Sequence, residues 1–165
     1  MTSSTPARRD AAGAIPGFVE RSGPLVERLL RLGLPMGPNT LLTVRGRKSG
    51  VPRTVPVAIL RAEGRDFVFA AFGETAWVHN IRAAGTATVR RGRRDVAVRA
   101  VEIEPAEAAR YLEIGLRSVL RVPLVGPMIA GWYGIDRHST ATDFAASAAR
   151  HPAFELTPIE AADRA

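Results

Sequence analysis

The chain has 165 residues, a formal charge of +7 and a hydrophobic content of 46%, which fits one globular domain of ordinary size rather than a disordered polymer. It contains no cysteine, which excludes disulfides, thiolate catalysis and cysteine-ligated metal centres. The excess positive charge suits an anionic partner, whether a polyanion, an anionic membrane or a small molecule, although a chain rich in Ala, Arg and Gly also carries arginine as a compositional habit.

No apolar run approaches the ~18 residues of a membrane span. The opening "MTSSTPARRDAAGAIPG" lacks the apolar stretch of a secretory leader, so residues 1–15 read as a disordered tail and 16–165 as a single cytoplasmic domain. "GPLVERLLRLGLPMGP" places Leu25, Val26, Leu29, Leu30 and Leu32 at near-helical spacing with charges between them, which predicts an amphipathic helix closed by Gly33 and Pro35. Such a helix packs on the domain or, being basic, lies on an anionic membrane.

Strands are predicted at 40–46, 54–60 and 67–72, with the turn-rich "RKSGVPR" after the first and a hairpin at 62–66. "TAWVHNIRAAG" reads as a short helix with Thr75 as N-cap and Gly85 as stop. Strands at 86–91 and 95–103 follow, then a helix entered through Pro105. Residues 121–139 read as irregular, 140–152 as helical, and 153–159 as a last strand. Short hairpins between strands at this spacing predict a closed antiparallel barrel.

Within that frame "RGRKSGVPR" (45–53) gathers Arg45, Arg47, Lys48 and Arg53 without an acidic residue, and Lys48 is the only lysine of the chain. Two glycines let the backbone turn tightly and approach a ligand, and clustered cations bind phosphate or carboxylate through charge-assisted hydrogen bonds. A basic turn in solvent is the plain alternative. It is not a Walker A loop, because Arg47 stands where that motif has glycine. "RRGRR" (90–94) reads as a solvated hairpin.

"RDFVFAAF" (65–72) shares basic and aromatic positions with an RNA-binding strand but has Asp66 in place of the glycine that motif needs, so Phe67 and Phe69 read as core. His79, His138 and His151 are scattered, and neither metal-ligand spacings nor G-x-S-x-G or G-x-G-x-x-G strings occur. No metal site is expected, and any hard chemistry belongs to a cofactor.

The string "LLTVRGRKSGVPRTVPV", followed by "VFAAFG" and "WVHNIRAAG", resembles the deazaflavin-dependent nitroreductase family over roughly residues 25–160. The resemblance implies a six-stranded antiparallel split β-barrel with flanking helices, like that of the pyridoxamine-phosphate oxidase group, and coenzyme F420 as hydride donor, with FMN as the alternative. It also implies that Arg47, Lys48, Ser49 and Arg53 hold the cofactor's anionic tail. Thr54, Val55, Pro56, Val57 and Ala58 would pass beside its ring. Ala70, Ala71, Phe72 and Gly73 would meet the ring's polar edge, and Ala76, Trp77 and Asn80 would form the next binding segment. Tyr133 is the nearest match to the family's substrate-side tyrosine and the candidate proton donor; on its own residues it reads as packed beside Trp132.

The segment "FGETAWVHN" is more compact than is usual in that family and has no lysine after its glycine, so the ring pocket is expected to differ. The expected partner is a small-molecule electron acceptor (a quinone, a nitro compound or an activated alkene), with pairing into a homodimer open and no nucleic acid. The competing readings are a carrier that binds F420 or FMN without turnover and, ranked lower, a nucleic-acid-binding barrel.

Overall fold

A computed structural model describes residues 24, 25, 27–29, 31, 32 and 39–160 of the chain. The elements are β1 (Asn39–Arg45), β2 (Pro52–Ala62), β3 (Arg65–Phe69), α1 (Ala76–Ala84), β4 (Thr86–Arg91), β5 (Arg94–Glu102), α2 (Pro105–Val119), α3 (Val125–Tyr133), α4 (Ala141–Ala148) and β6 (Ala153–Pro158). The strands form a closed antiparallel barrel in the order β1-β2-β3-β6-β5-β4, shut by Leu42 and Thr43 of β1 pairing Val89 and Thr88 of β4. This is the six-stranded barrel that the strand spacing predicts. Closure removes the exposed edges that an open sheet of this length would have to protect.

Alternation along the strands divides the apolar residues into two cores. One fills the barrel: Leu42, Val44, Val57, Val68, Val89, Val98, Phe154 and Leu156 point inward, and Val78 and Ile81 of α1 join them. The other lies outside the barrel wall, where Ala62, Phe67 and Phe69 are covered by Leu112 and Leu116 of α2, Tyr133 of α3 and Phe144 of α4. Phe67 stacks on Tyr111 of α2 at 4.2 Å between ring centroids. These phenylalanines are therefore covered, and the wall they occupy offers no platform for stacking bases.

Three differences from the sequence reading have physical causes. First, the region predicted irregular, 121–139, contains α3. Its sequence "VGPMIAGWY" is apolar nearly all round, so no polar face marks it as a helix, and packing of Ile129, Ala130 and Trp132 on the outer core holds it instead.

Second, β3 ends at Phe69 rather than residue 72. The Ala70 N–H bonds to the Pro152 carbonyl (2.8 Å), and the chain then turns through Gly73 at φ +71°, a backbone that L side chains rarely adopt. The apolar string "FAAF" conceals that exit.

Third, the N-terminal segment is helical at residues 24, 25, 27–29 and 31, yet Leu25 and Leu32 are exposed, so its apolar stripe is only partly covered. The expected tail, residues 1–15, lies outside the described residues.

Candidate functional site

The β1–β2 connection is a tight loop over residues 46–51. The Gly46 N–H bonds to the Val51 carbonyl (2.9 Å), the Gly50 N–H to the Gly46 carbonyl (2.8 Å), and the Val51 N–H to Ser49 Oγ (3.3 Å). A Cβ at Gly46 would stand 2.9 Å from Ser49 Oγ and 3.0 Å from the Val51 carbonyl oxygen, so this buried position is shaped for glycine. Arg45, Lys48 and Arg53 are exposed around it.

Among the described residues no ion pair engages Arg45, Arg47, Lys48 or Arg53, while Arg65, Arg82, Arg90, Arg91, Arg110 and Arg117 are each neutralised by carboxylates. The loop thus keeps its positive charge uncompensated.

Asn80 of α1 locks the loop to the body of the protein. Its buried Oδ1 accepts from the Arg47 backbone N–H (3.2 Å) and from Arg47 Nη1 (3.0 Å). Arg47 and Asn80, which the resemblance places in one site, are in direct contact, although Asn80 acts here by holding the loop.

α1 opens at Thr75, which has extended backbone (φ −86°, ψ 172°) but makes no side-chain capping bond; its Oγ1 is buried and has no partner among the described residues. The first turn carries no acidic residue. A polar ligand group placed there would satisfy an orphaned hydroxyl and meet the positive end of the helix. Ala76 is exposed, whereas Trp77 is half-buried and meets Phe154 inside the barrel, 5.9 Å between ring centroids.

Arg82, in the last turn of α1, bonds both oxygens of Glu74 (2.6 and 2.9 Å) and both of Glu102 on β5 (2.7 and 2.6 Å). The Arg82 hydrogen bonds pull the Glu74 carboxyl below its ordinary pKa. This clamp fixes the turn leading into α1. Arg82 falls in a string that carries the family resemblance and Glu74 in the compact segment before it, but nothing in the sequence pairs Arg82 with Glu102, 20 residues on.

In the turn itself Ala70, Ala71 and Gly73 donate their N–H groups within the protein, while the Phe72 N–H is committed to no described acceptor. That leaves Phe72 as the amide of this segment able to meet a ligand. The Phe72 ring packs on Trp132 of α3, 5.3 Å between centroids.

The β2 segment 54–58 splits by face. Val55 and Val57 turn toward the barrel core, so they can offer a ligand backbone but little side chain. Thr54, Pro56 and Ala58 share the other face, where Pro56 and Ala58 are exposed and small. Thr54 Oγ1 lies 2.8 Å from Thr43 Oγ1. Both line a cavity of about 250 Å³ with Arg31, Leu41, Arg90 and Asp95. Arg90 Nη1 donates to Asp95 Oδ1 (2.8 Å), and Arg90 Nε is buried without a partner. No sequence motif marks Thr43 or Asp95, and Arg90, in the expected solvated hairpin "RRGRR", lines this cavity.

Tyr133 is not brought into this group. It sits buried at the end of α3 in the outer core, its ring 4.9 Å from that of His151, and burial pushes its hydroxyl pKa up. Its ring neighbour is His151, while the adjacent Trp132 packs on Phe72. His151 is itself buried, with Nδ1 2.7 Å from the Ser147 carbonyl oxygen, and burial holds its pKa below the ordinary value.

A basic loop, a pair of small apolar positions on β2, a free amide at Phe72 and an orphaned hydroxyl at Thr75 suit an elongated ligand with a flat head and an anionic tail. The model of a family described as F420H(2)-dependent quinone reductase matches residues 22–120, more than half of the chain. No curated protein matches the sequence. Among solved structures, one described as a domain-swapped dimer is 20% identical and aligns over 86% of this chain and 98% of its own, with a TM-score of 0.52. "Structure of F420-H2 Dependent Reductase (FDR-A)" is 22% identical over 73% of this chain and 94% of its own, with a TM-score of 0.50. At these identities the two structures establish the fold.

Proposed function

The chain belongs to the F420H(2)-dependent quinone reductase family, and from that premise we propose that it reduces a quinone, with nitro compounds and activated alkenes as further acceptors, using the residues assembled around the β1–β2 loop. Bound there, reduced F420 supplies a hydride, and one proton completes the two-electron reduction of the acceptor.

Lys48, Arg53 and Arg45 hold the anionic tail, and Ser49 shapes the loop that presents them. Arg47 is the loop's fastening, through Asn80. Pro56 and Ala58 provide a flat apolar bed for the ring. The Phe72 N–H and Thr75 Oγ1 address its polar edge. With Tyr133 buried in the outer core rather than beside the loop and the β2 face, the proton is taken from solvent.

The observation that carries this reading is the uncompensated charge of the loop beside an apolar strand face. An anionic tail gains charge-assisted hydrogen bonds there without displacing any internal ion pair. Fluorescence titration with F420 and FMN in parallel, followed by steady-state oxidation of reduced F420 with a quinone panel, tests it. Tight F420 binding with turnover of a quinone is expected. Preference for FMN, or F420 binding without turnover of any acceptor, would replace it with the FMN or the carrier reading.

A further inference from the structure

The α2–α3 connection and the first turn of α3, "RVPLVGPM" (121–128), form an exposed tip. Its apolar side chains face outward: Val122, Leu124, Val125 and Met128 are all exposed, Leu124 to 89%. Leu124 lies at φ +66°, ψ −46°, and the Val125 N–H bonds to the Pro123 carbonyl across it (2.8 Å). That is a γ-turn of the rare, strained hand, and glycine would adopt it at lower cost. A leucine there spends backbone strain to push an apolar side chain into solvent.

The base of the tip is locked. The Val122 N–H bonds to the Val119 carbonyl (3.0 Å) and the Gly126 N–H to the Val122 carbonyl (2.8 Å). A Cβ at Gly126 would come within 2.4 Å of the Leu120 carbonyl oxygen, so α3 packs against this turn as closely as backbone allows. The tip is therefore preorganised.

Along the chain its charge is one-sided between Glu113 and Asp136. From Ile114 to Ile135 the chain has two arginines, Arg117 and Arg121, and no acidic residue. Arg117 pairs with Glu113, while Arg121 is exposed and takes part in no described ion pair.

We propose that this tip docks the protein on an anionic lipid surface, with Leu124, Val122, Val125 and Met128 entering the headgroup–acyl boundary and Arg121 meeting lipid phosphate. An apolar tip with a basic flank is complementary to such a surface, and the net charge of +7 adds long-range attraction. A second protein is the poorer fit, because a stable interface engages about 20–30 residues a side and this tip offers four apolar side chains. Among the described residues no helix is long and apolar enough to cross a membrane, so the contact is peripheral. Docking does not depend on which acceptor is reduced, though a quinone dissolved in the bilayer would be met there.

The test is co-sedimentation of the full chain with phosphatidylcholine vesicles made with and without phosphatidylglycerol. The wild-type protein is expected to sediment with the anionic vesicles and far less with the neutral ones. Leu124→Asp should lower the partition coefficient about tenfold or more. Leu124→Gly, which relieves the γ-turn and leaves folding intact, should lower it as well. Arg121→Glu should reduce binding to anionic vesicles only. Turnover of a water-soluble quinone should be unchanged in all three variants, which separates failure of docking from failure of the proposed activity. No sedimentation of the wild type, or sedimentation of Leu124→Asp and Arg121→Glu equal to wild type, would overturn the proposal. So would a concentration-dependent dimer, without lipid binding, that Leu124→Asp abolishes.

Discussion

The Asn80 carboxamide oxygen binds Arg47 twice, through its backbone N–H at 3.2 Å and its guanidinium at 3.0 Å, and so fastens the basic loop to the helix beside it. Asn80 is buried, and its loss leaves two donors of Arg47 without their acceptor. Because Arg47 is exposed and its freed donors can meet water, Asn80→Ala should cost about 1 kcal/mol of stability, the net worth of an ordinary hydrogen bond, and should weaken F420 binding as the loop loosens. Asn80→Asp keeps the acceptor oxygen and should retain most of the affinity. Thermal melts and fluorescence titration read the two effects separately.

Lys48 and Arg53 have no ion-pair partner among the described residues. Lys48→Ala and Arg53→Ala should each weaken F420 binding about tenfold or more, since a charge-assisted hydrogen bond is worth roughly 1.5–3 kcal/mol, while the melting temperature stays put. Affinity unchanged in both variants would remove the tail site from this loop. Lys48→Arg asks a narrower question: full binding by that variant shows that charge alone is enough, and reduced binding shows that the compact ammonium matters.

Arg82, in the last turn of α1, clamps Glu74 and Glu102. The pairs are partly exposed, and such pairs contribute ~1 kcal/mol or less each. Arg82→Met should therefore lower the melting temperature by only ~2–4 °C. It should nevertheless loosen the turn from Gly73 to Thr75 and raise the Kd for F420 severalfold. A large loss of stability without a change in affinity would mark the clamp as purely structural.

His151 predicts a pH effect. Burial holds its folded-state pKa below the ordinary value of 6.5, so the unfolded chain takes up a proton that the native state does not. Stability is whole above about pH 6.5 and falls as the pH drops toward the depressed native pKa. His151→Gln removes this titration. Its denaturant midpoint should vary less between pH 7 and 5 (about the range over which histidine ordinarily titrates) than that of the wild type. Equal pH slopes would show that His151 is not the group responsible.

Much of the site is local and therefore legible in the chain. The loop's cations fall within nine residues, 45–53, and Gly46 and Gly50 announce its turn. The helix start at Thr75 and its stop at Gly85 follow from residue type, and Gly85 does take the left-handed conformation at the helix end. Alternation in "TVPVAIL" told which residues share a face but not which face looks inward, so Val55 and Val57 were indistinguishable from Thr54, Pro56 and Ala58 as ring neighbours. Tyr133 matched a pattern, and its burial depends on α2 and α4 closing over it from distant parts of the chain.

The sequence by itself determined the barrel, through strand spacing and short hairpins, and the chemistry of the basic loop, through charge that no neighbouring acid could cancel. Only the tertiary structure decided which cations remain unpaired and which are neutralised. Ion pairs such as Arg82 with Glu102 and Arg65 with Glu155 join residues that only barrel closure and helix packing bring together. It also decided that Asn80 serves Arg47, that Thr75 is left with an empty hydroxyl, and that Leu124 is held out in solvent. Each of these is set by which groups the fold excludes from water, and that is a property of packing rather than of order along the chain.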